Sequence, residues 1–116
     1  MIIRIKDLKL RTIIGFKEWE REKKQDITIN LRIETDETGA AQSDDVKDTI
    51  DYKVITKRII TEVEATDFKL LEALSGFILD LVMEDERIEK STVEIDKPHA
   101  LRFTRSVSIE MTRKRA

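Results

Sequence analysis

The chain has 116 residues, a length suited to one domain with one hydrophobic core. Its 24 acidic residues nearly balance its 22 basic ones, so it lacks the basic excess that nucleic-acid binding normally requires. It has no cysteine, and His99 is its only histidine, which argues against disulfides, thiol nucleophiles and a protein-held zinc ion. No apolar run has the length of a membrane span or of a signal peptide. We therefore expect one cytoplasmic domain over residues 1–116 that uses no metal or cofactor.

Two segments near the N-terminus show the alternation of a β-strand. Apolar residues occupy every second position from Asp26 to Glu34, which predicts a strand with one buried and one wet face. The opening segment alternates as well, but its phase shifts by one residue across Lys6-Asp7, where a bulge or bend would restore the facing. Residues 35–48 show neither the strand nor the helix period and predict a crossing loop.

The middle of the chain changes to the helical period. Apolar residues at i, i+3, i+4 and i+7 spacing predict an amphipathic helix from about Phe68 to Glu84, with Thr66 or Asp67 as its N-cap. Four-residue spacing predicts another helix from Tyr52 to Ala65, for which Asp51 is a plausible cap. The connection between them is short, so we expect the two helices to be antiparallel.

Two further alternating segments follow the helices and predict the last two strands. Their apolar residues are Val93 and Ile95 in one segment, and Val107, Ile109 and Met111 in the other. This order predicts an α+β fold in which two helices between strands 2 and 3 cover one face of a four-stranded antiparallel sheet. The other face is polar and two edges stay open, so we expect copies to join edge to edge into a closed ring.

The third strand ends in the most informative run of the chain, residues 95–102, which reads Ile-Asp-Lys-Pro-His-Ala-Leu-Arg. Lys97 precedes the only proline, which restricts it to extended backbone, so its side chain should project in a fixed direction. Three other runs carry comparable signals, namely residues 14–20, Asp51-Tyr52 and residues 70–72. With these runs the chain resembles the dihydroneopterin aldolases and their epimerase relatives over almost its whole length.

The resemblance implies the tunnelling fold and chemistry on the side chain of a dihydropterin. Residues 2–17, 52–56 and 95–102 look closer to the dihydroneopterin triphosphate 2′-epimerases. Pro98 and the Trp19-Glu20 pair look more like aldolases. The resemblance thus implies an epimerase that forms dihydromonapterin triphosphate by retro-aldol and aldol steps. The alternative is the aldolase of folate biosynthesis, which releases glycolaldehyde and 6-hydroxymethyl-dihydropterin.

Two residues match the pterin-binding positions of this family. Glu72 matches the anchoring glutamate, whose carboxylate accepts two hydrogen bonds from adjacent N–H groups of the pyrimidine edge. Backbone amides near Leu71 would supplement these bonds. From helical geometry alone, Glu72 lies opposite the apolar stripe and would be an ordinary solvated residue of the helix. In a ring of copies, the same helix face can meet a neighbouring subunit.

Three more residues match the catalytic positions of the family. The resemblance implies that Lys97 acts as general acid or base, directly or through a water, and that the Tyr52 hydroxyl passes a proton to or from the substrate. Glu20 completes the catalytic set. Each has a plainer interpretation: an edge lysine that discourages aggregation, a packing tyrosine, and one charge in a charged run. A noncatalytic binding module is the competing class, and the joint presence of these residues argues against it.

The resemblance also bears on partners. It implies a homo-oligomer, a tetramer or an octamer, with the dihydropterin site between subunits. From the charge balance and the lack of a long apolar run, we expect no nucleic-acid or membrane partner. Three basic residues after Lys97 keep two interpretations each. His99 either hydrogen-bonds a hydroxyl or phosphate or caps the turn after Pro98. Arg102 and Arg105 either receive a triphosphate, since guanidinium pairs well with phosphate oxygens, or simply flank the last strand.

Overall fold

The computed structural model describes residues 1–116, and it confirms the predicted α+β fold. Its strands are β1 (Ile2–Thr12), β2 (Gln25–Thr35), β3 (Ile88–Pro98) and β4 (Ser106–Lys114). Its helices are α1 (Ala40–Ser43), α2 (Tyr52–Glu64) and α3 (Leu71–Val82), with 3-10 turns at Glu18–Arg21 and Val46–Asp48. The strands form one antiparallel sheet in the order β1-β2-β3-β4, so β1 and β4 are its edges. None of the helices combines the length and the apolar character needed to cross a bilayer.

The bulge predicted in β1 is confirmed. The pairing of β1 with β2 shifts register between Ile5 and Leu8, and Asp7 adopts a left-handed backbone with φ of 53°. The Asp7 N–H donates to Asn30 Oδ1 at 2.9 Å, which satisfies the group that the bulge removes from the ladder. As a result, the apolar residues on both sides of the bulge face the helices.

The helices cover one face of the sheet and leave the other polar. Every second residue of β2 is buried, from Ile27 to Thr35, and the residues between them are partly exposed. Helix α2 contributes Ile59 and Val63 to the core, and α3 packs against β3 and β4. Each fully buried aliphatic side chain stabilises the fold by about 1.5–3 kcal/mol relative to an exposed one. The core therefore holds both helices against the sheet.

The start of α2 agrees with the prediction. Asp51 caps α2, because its carboxylate accepts hydrogen bonds from the N–H groups of Lys53 at 3.0 Å and Val54 at 3.3 Å. At the far end of α2, the Thr12 hydroxyl lies 2.9 Å from the buried Val63 carbonyl oxygen. This contact ties the end of β1 to the end of α2.

The predicted N-cap of α3 is wrong. The helix begins at Leu71, and its cap position is Leu70, which offers no side-chain hydrogen bond. Thr66 is engaged elsewhere, because its hydroxyl donates to the Val63 carbonyl at 2.7 Å. Asp67 is engaged as well, because its carboxylate lies 3.6 Å from Arg21 Nη2. The first N–H groups of α3 are therefore left for another partner.

The crossing segment between β2 and α2 is more ordered than predicted. It contains α1 and the second 3-10 turn. Gly39 starts α1 with φ of 88°, and the Asp45 carboxylate accepts a hydrogen bond from the Lys47 N–H at 3.0 Å. Elements of three or four residues are too short to show a hydrophobic period, so the sequence pattern missed them.

Candidate active site

A cleft of about 270 Å³ lies beside the end of β1, the end of β3 and the start of α3. Thirteen residues line it, and four of them are predicted site residues: Glu20, Leu71, Glu72 and Lys97. Apolar side chains, including Phe16, Leu70 and Leu101, form much of the remaining wall. The fold therefore brings together most of the predicted site from three separate parts of the sequence.

Lys97 and Glu20 form an ion pair inside this cleft. The Lys97 ammonium donates to Glu20 Oε2, and the two side chains are only 12% and 7% exposed. Lys97 lies near the end of β3, opposite Val107 of β4, which holds its backbone extended as the following proline predicts. The low exposure contradicts the interpretation of either residue as an ordinary surface charge.

The Glu20 carboxylate is surrounded by donors. Gln25 Nε2 donates to it at 3.1 Å, and the Lys17 N–H donates at 3.2 Å. Burial raises the pKa of Glu20, but the hydrogen bonds from Lys97, Gln25 and the Lys17 N–H outweigh it, so the pKa lies below its ordinary value of 4.5. Glu20 is therefore ionised at neutral pH and keeps a negative charge beside the Lys97 ammonium.

Gly15 makes room for this carboxylate. Its φ is 124°, a region that side-chain-bearing residues rarely adopt. A Cβ at this position would lie 2.2 Å from Glu20 Cδ, which is closer than any real contact. The glycine in the segment after β1 is thus required both by its backbone and by the buried acid.

Arg21 connects two segments beside the cleft, and the sequence did not predict a role for it. Its guanidinium donates to the carbonyl oxygens of Gly15 at 2.8 Å, Phe68 at 3.3 Å and Asp67 at 2.7 Å. The Gly15 N–H also donates to the Phe68 carbonyl at 3.1 Å. These bonds attach the turn that carries Glu20 to the segment that leads into α3. No motif signals this role, because Arg21 lies in a run of alternating charges.

The start of α3 offers hydrogen-bonding groups to the cleft. The first helical hydrogen bond is donated by Leu74 to Leu70 at 3.2 Å, so the N–H groups of Leu71 and Glu72 precede the helical ladder. Glu72 is exposed and lines the cleft, as predicted from its position opposite the apolar stripe. Donors from the backbone and a carboxylate acceptor therefore lie side by side at one wall.

Tyr52 does not lie in this cleft. It is the first residue of α2, its side chain is 54% exposed, and it does not contribute to the lining. Val54 on the same helix and Val46 before it are exposed as well. Within one chain, Tyr52 is therefore separated from the other four predicted residues.

The segment between β3 and β4 borders the cleft through Ala100 and Leu101. His99 follows Pro98 with a left-handed backbone, at φ of 64°, and its side chain forms no hydrogen bond that caps the turn. The Arg102 guanidinium carbon lies 5.2 Å from the centroid of the Phe103 ring. Arg102 and Arg105 have no carboxylate within ion-pair distance.

The geometry defines a class of site. A shielded ammonium–carboxylate pair is suited to proton transfer. The neighbouring carboxylate and free N–H groups are suited to hydrogen-bonding the edge of a flat heterocycle, and the apolar wall is suited to its faces. No three histidine or acidic side chains converge in the way a metal ion requires. In a small α+β protein, this combination of groups is suited to acid–base chemistry on a planar ligand.

Comparison with known proteins gives the family. A family model described as dihydroneopterin aldolase, FolB, matches residues 3–112, and the chain belongs to this family. A dihydroneopterin triphosphate 2′-epimerase of Pseudomonas aeruginosa is 50% identical over 94% of this chain and 89% of its own length. The epimerase of Escherichia coli K12 with the same name is 46% identical over 96% of this chain and 92% of its own length.

A solved structure supports the fold. Escherichia coli dihydroneopterin aldolase in complex with neopterin superposes with a TM-score of 0.92. The alignment covers 97% of this chain and 98% of the aldolase, at 26% sequence identity. The tunnelling fold implied by the resemblance is therefore confirmed. The matched relatives are enzymes, and the two epimerases are nearer in sequence than this aldolase.

Proposed function

We propose that this protein is a dihydroneopterin triphosphate 2′-epimerase. The observation that supports it most is that the Lys97–Glu20 pair shares one cleft with Glu72 and Leu71, in a chain 50% identical to an enzyme of that name. The product is the 2′ epimer, dihydromonapterin triphosphate, a precursor of tetrahydromonapterin. We place the protein in the cytoplasm because its sequence contains no cysteine for disulfides.

The pterin ring binds at the start of α3. The Glu72 carboxylate accepts two hydrogen bonds from the adjacent N–H groups of the pyrimidine edge. The N–H groups near Leu71, which precede the helical ladder, donate to acceptors on the same ring. The apolar wall formed by residues such as Leu70 and Leu101 covers the ring faces.

Lys97 transfers the protons that the bond cleavage requires. The dihydropterin contains a ring imine, so protonation of that nitrogen creates an electron sink without an enzyme Schiff base. Removal of the 2′-hydroxyl proton forms the aldehyde carbonyl and breaks the bond between C1′ and C2′, with its electron pair passing into the ring as an enamine. The Lys97 ammonium, directly or through a water, gives a proton to the ring nitrogen, and the resulting amine takes the 2′-hydroxyl proton, so Lys97 serves as acid and then as base while Glu20 holds it in place. Re-addition of the enamine to the opposite face of the aldehyde gives the epimer.

Tyr52 enters the site from a neighbouring copy. It lies outside the cleft of its own chain, on an exposed surface at the start of α2. A ring in which copies pair through their two edge strands would place neighbouring chains side by side. On the open face, Arg4 lies opposite Arg32, whereas the β4 side carries both signs, with Glu94 opposite Glu110 and Lys90 opposite Lys114. Pairing of β1 with β4 of the next copy would satisfy the unpaired backbone groups of both edge strands.

Product analysis tests the proposed function. The protein is incubated with dihydroneopterin triphosphate, and the products are separated by chromatography that resolves the 2′ epimers. We expect the 2′ epimer to be the main product. Heat-denatured protein and buffer serve as controls for spontaneous oxidation and epimerisation. Formation of glycolaldehyde from free dihydroneopterin, with no epimer from the triphosphate, would contradict the proposal.

Glycolaldehyde release from free dihydroneopterin, with no epimer from the triphosphate, would support the second candidate, dihydroneopterin aldolase of folate biosynthesis. Its specific support is the Lys97-Pro98 and Trp19-Glu20 sequence, together with the TM-score of 0.92 to an aldolase. Both reactions share the cleavage step and differ in the fate of the aldehyde. The proton-transfer residues alone therefore do not distinguish them.

A further inference from the structure

We propose that Arg102, with Arg105 and Lys69, forms a subsite for the triphosphate group beside the pterin cleft. The proposal rests on the proposed function, because it concerns the phosphate-bearing end of that substrate. The pterin-binding acid Glu72 and the buried Glu20 are negatively charged and repel phosphate. A separate group of cations is therefore needed to bind it.

The three cations are at or next to the lining of the cleft. Lys69 lines the cleft itself, immediately before the start of α3. Leu101 also lines it, and Arg102 is the next residue. Arg105 directly precedes β4, whose second residue, Val107, lines the cleft as well. One cation thus lines the cavity, and the other two lie within two residues of lining residues.

These cations are free to bind an anion. None of them has a carboxylate within ion-pair distance. By contrast, Arg58 and Arg87 bind carboxylates elsewhere on the surface, and Arg21 binds three backbone carbonyl groups. A guanidinium without a protein partner keeps all five N–H donors for phosphate oxygens.

Arg102 contacts a neighbouring aromatic ring. Its guanidinium carbon lies 5.2 Å from the centroid of the Phe103 ring, and Phe103 is itself 97% exposed. A cation–π contact uses no N–H donor, so the guanidinium keeps its donors for phosphate oxygens.

The chemistry gives this subsite a second consequence. The triphosphate is carried on the 3′ oxygen, and the bond that breaks joins C1′ to C2′. The triphosphate therefore leaves with the two-carbon aldehyde, while the pterin enamine stays on Glu72. A subsite that holds the phosphate retains the aldehyde beside the enamine, so that it can turn and add again. Loss of the subsite favours escape of the aldehyde, which is net aldol cleavage.

Product ratios and kinetics of Arg102→Gln and Arg105→Gln variants test the subsite. With dihydroneopterin triphosphate, we expect KM to rise roughly 10- to 100-fold for Arg102→Gln, the effect of losing charged hydrogen bonds. We also expect the ratio of 6-hydroxymethyl-dihydropterin to epimer to rise. With unphosphorylated dihydroneopterin, KM should not change. Lys57→Gln is the matched control, because Lys57 is exposed on α2, has no carboxylate within ion-pair distance and does not line the cleft.

Inorganic tripolyphosphate provides a probe that needs no turnover. We expect it to bind the wild-type protein in calorimetry, more weakly at higher ionic strength, and to bind Arg102→Gln much less. If the wild type epimerises the triphosphate but the double variant Arg102→Gln/Arg105→Gln keeps its KM and product ratio, the subsite is wrong and the epimerase stands.

The remaining outcomes separate the two proposals. If the wild type does not act on the triphosphate, the proposed function fails, whereas Arg102-dependent binding of tripolyphosphate would still support the subsite. If Arg102→Gln lowers activity on both substrates and changes the oligomer size in light scattering, Arg102 is an assembly residue and the subsite is contradicted. Arg102→Lys keeps the charge without the planar fork, and we expect it to recover only part of the triphosphate selectivity.

Discussion

Glu20 lies in a run of charged residues, yet its side chain is buried in the candidate site. Its side chain is 7% exposed, and burying an ionised carboxylate is costly unless it is paired and hydrogen-bonded. Here Lys97, Gln25 and the Lys17 N–H supply those bonds. Because the pKa of Glu20 is lowered, the carboxylate contributes to folding as long as it stays ionised.

Stability against pH tests the environment of Glu20. The folded-state pKa is below the unfolded value of about 4.5, so the contribution is fully present above that value and is lost as pH falls toward the folded pKa. We expect the difference in free energy of unfolding between the wild type and Glu20→Gln to be constant above pH 4.5 and to shrink below it. Urea titrations at a series of pH values measure this. A difference that grows as the solution becomes more acidic would contradict the assignment.

Gly15→Ala tests the close approach of the backbone to this carboxylate. The added Cβ would meet Glu20 Cδ at 2.2 Å, so we expect loss of the Lys97–Glu20 geometry and of activity. Gly39→Ala is the matched control, since Gly39 has φ of 88° but no atom within 4 Å of an added Cβ. Backbone strain costs about 1–3 kcal/mol in both variants. Equal activity of the two variants would show that the clash at Gly15 has no effect on the site.

Residue types alone predicted part of this site. The proline after Lys97 indicated a fixed lysine, and the lysine is indeed held at the end of β3. The burial of Glu20 was not predictable from its neighbours, because it depends on the glycine five residues earlier and on Gln25, which only the fold brings together. Arg21 was missed for the same reason, since its partners lie at residues 67 and 68.

At the scale of elements, periodicity located every strand and both long helices. It also predicted the bulge in β1. The apolar alternation of this strand shifts by one residue, and an extra residue in the strand returns the apolar side chains to the buried face. It misplaced the start of α3, because Thr66 and Asp67 are good capping residues whose side chains are engaged by other elements. Local preference identifies candidates for a cap, and tertiary contacts select among them.

At this scale we predict that Arg21 is a positioning residue. Its bonds to Gly15, Asp67 and Phe68 set the separation between the Lys97–Glu20 pair and the start of α3. For Arg21→Ala we expect kcat to fall on the order of 10²-fold, the cost of a misplacement of about 1 Å. The dissociation constant for neopterin should change little, because Leu71 and Glu72 belong to the same helix.

Chemical rescue separates positioning from a general loss of structure. Added guanidinium at a concentration too low to denature the protein should restore part of the kcat of Arg21→Ala. Arg58→Ala is the control, because Arg58 binds Glu62 and Glu84 away from the cleft and its loss should leave kcat unchanged. An Arg21→Ala variant whose lost activity tracks lost thermal stability, without rescue, would contradict the positioning role.

At the scale of the whole molecule, one chain leaves features that a neighbour would complete. The sheet has two edge strands, the residues of its other face are polar and partly exposed, and Tyr52 lies outside the cleft. The polar face and the open edges were predicted from the sequence, since it predicts only two long helices to cover the sheet.

Subunit mixing tests whether sites are shared between copies. Lys97→Ala and Tyr52→Phe should each be nearly inactive alone. When they are unfolded together and refolded as mixed oligomers, we expect about a quarter of wild-type turnover, because half of the copies supply an intact Lys97 and half an intact Tyr52. Native mass spectrometry with one isotopically labelled variant verifies the mixing. No gain of activity in verified mixed oligomers would contradict a site that uses Tyr52 from a neighbour.

Lys97 is proposed to transfer protons and Glu72 to bind the pterin ring, and kinetics paired with calorimetry test these two roles most directly. For Lys97→Ala we expect kcat to fall roughly 10²- to 10⁴-fold, the usual contribution of a general acid or base, with neopterin affinity retained. For Glu72→Gln we expect the dissociation constant for neopterin to rise roughly 10- to 100-fold, because the ring loses charged hydrogen bonds. Wild-type turnover in Lys97→Ala, or unchanged neopterin affinity in Glu72→Gln, would contradict the account.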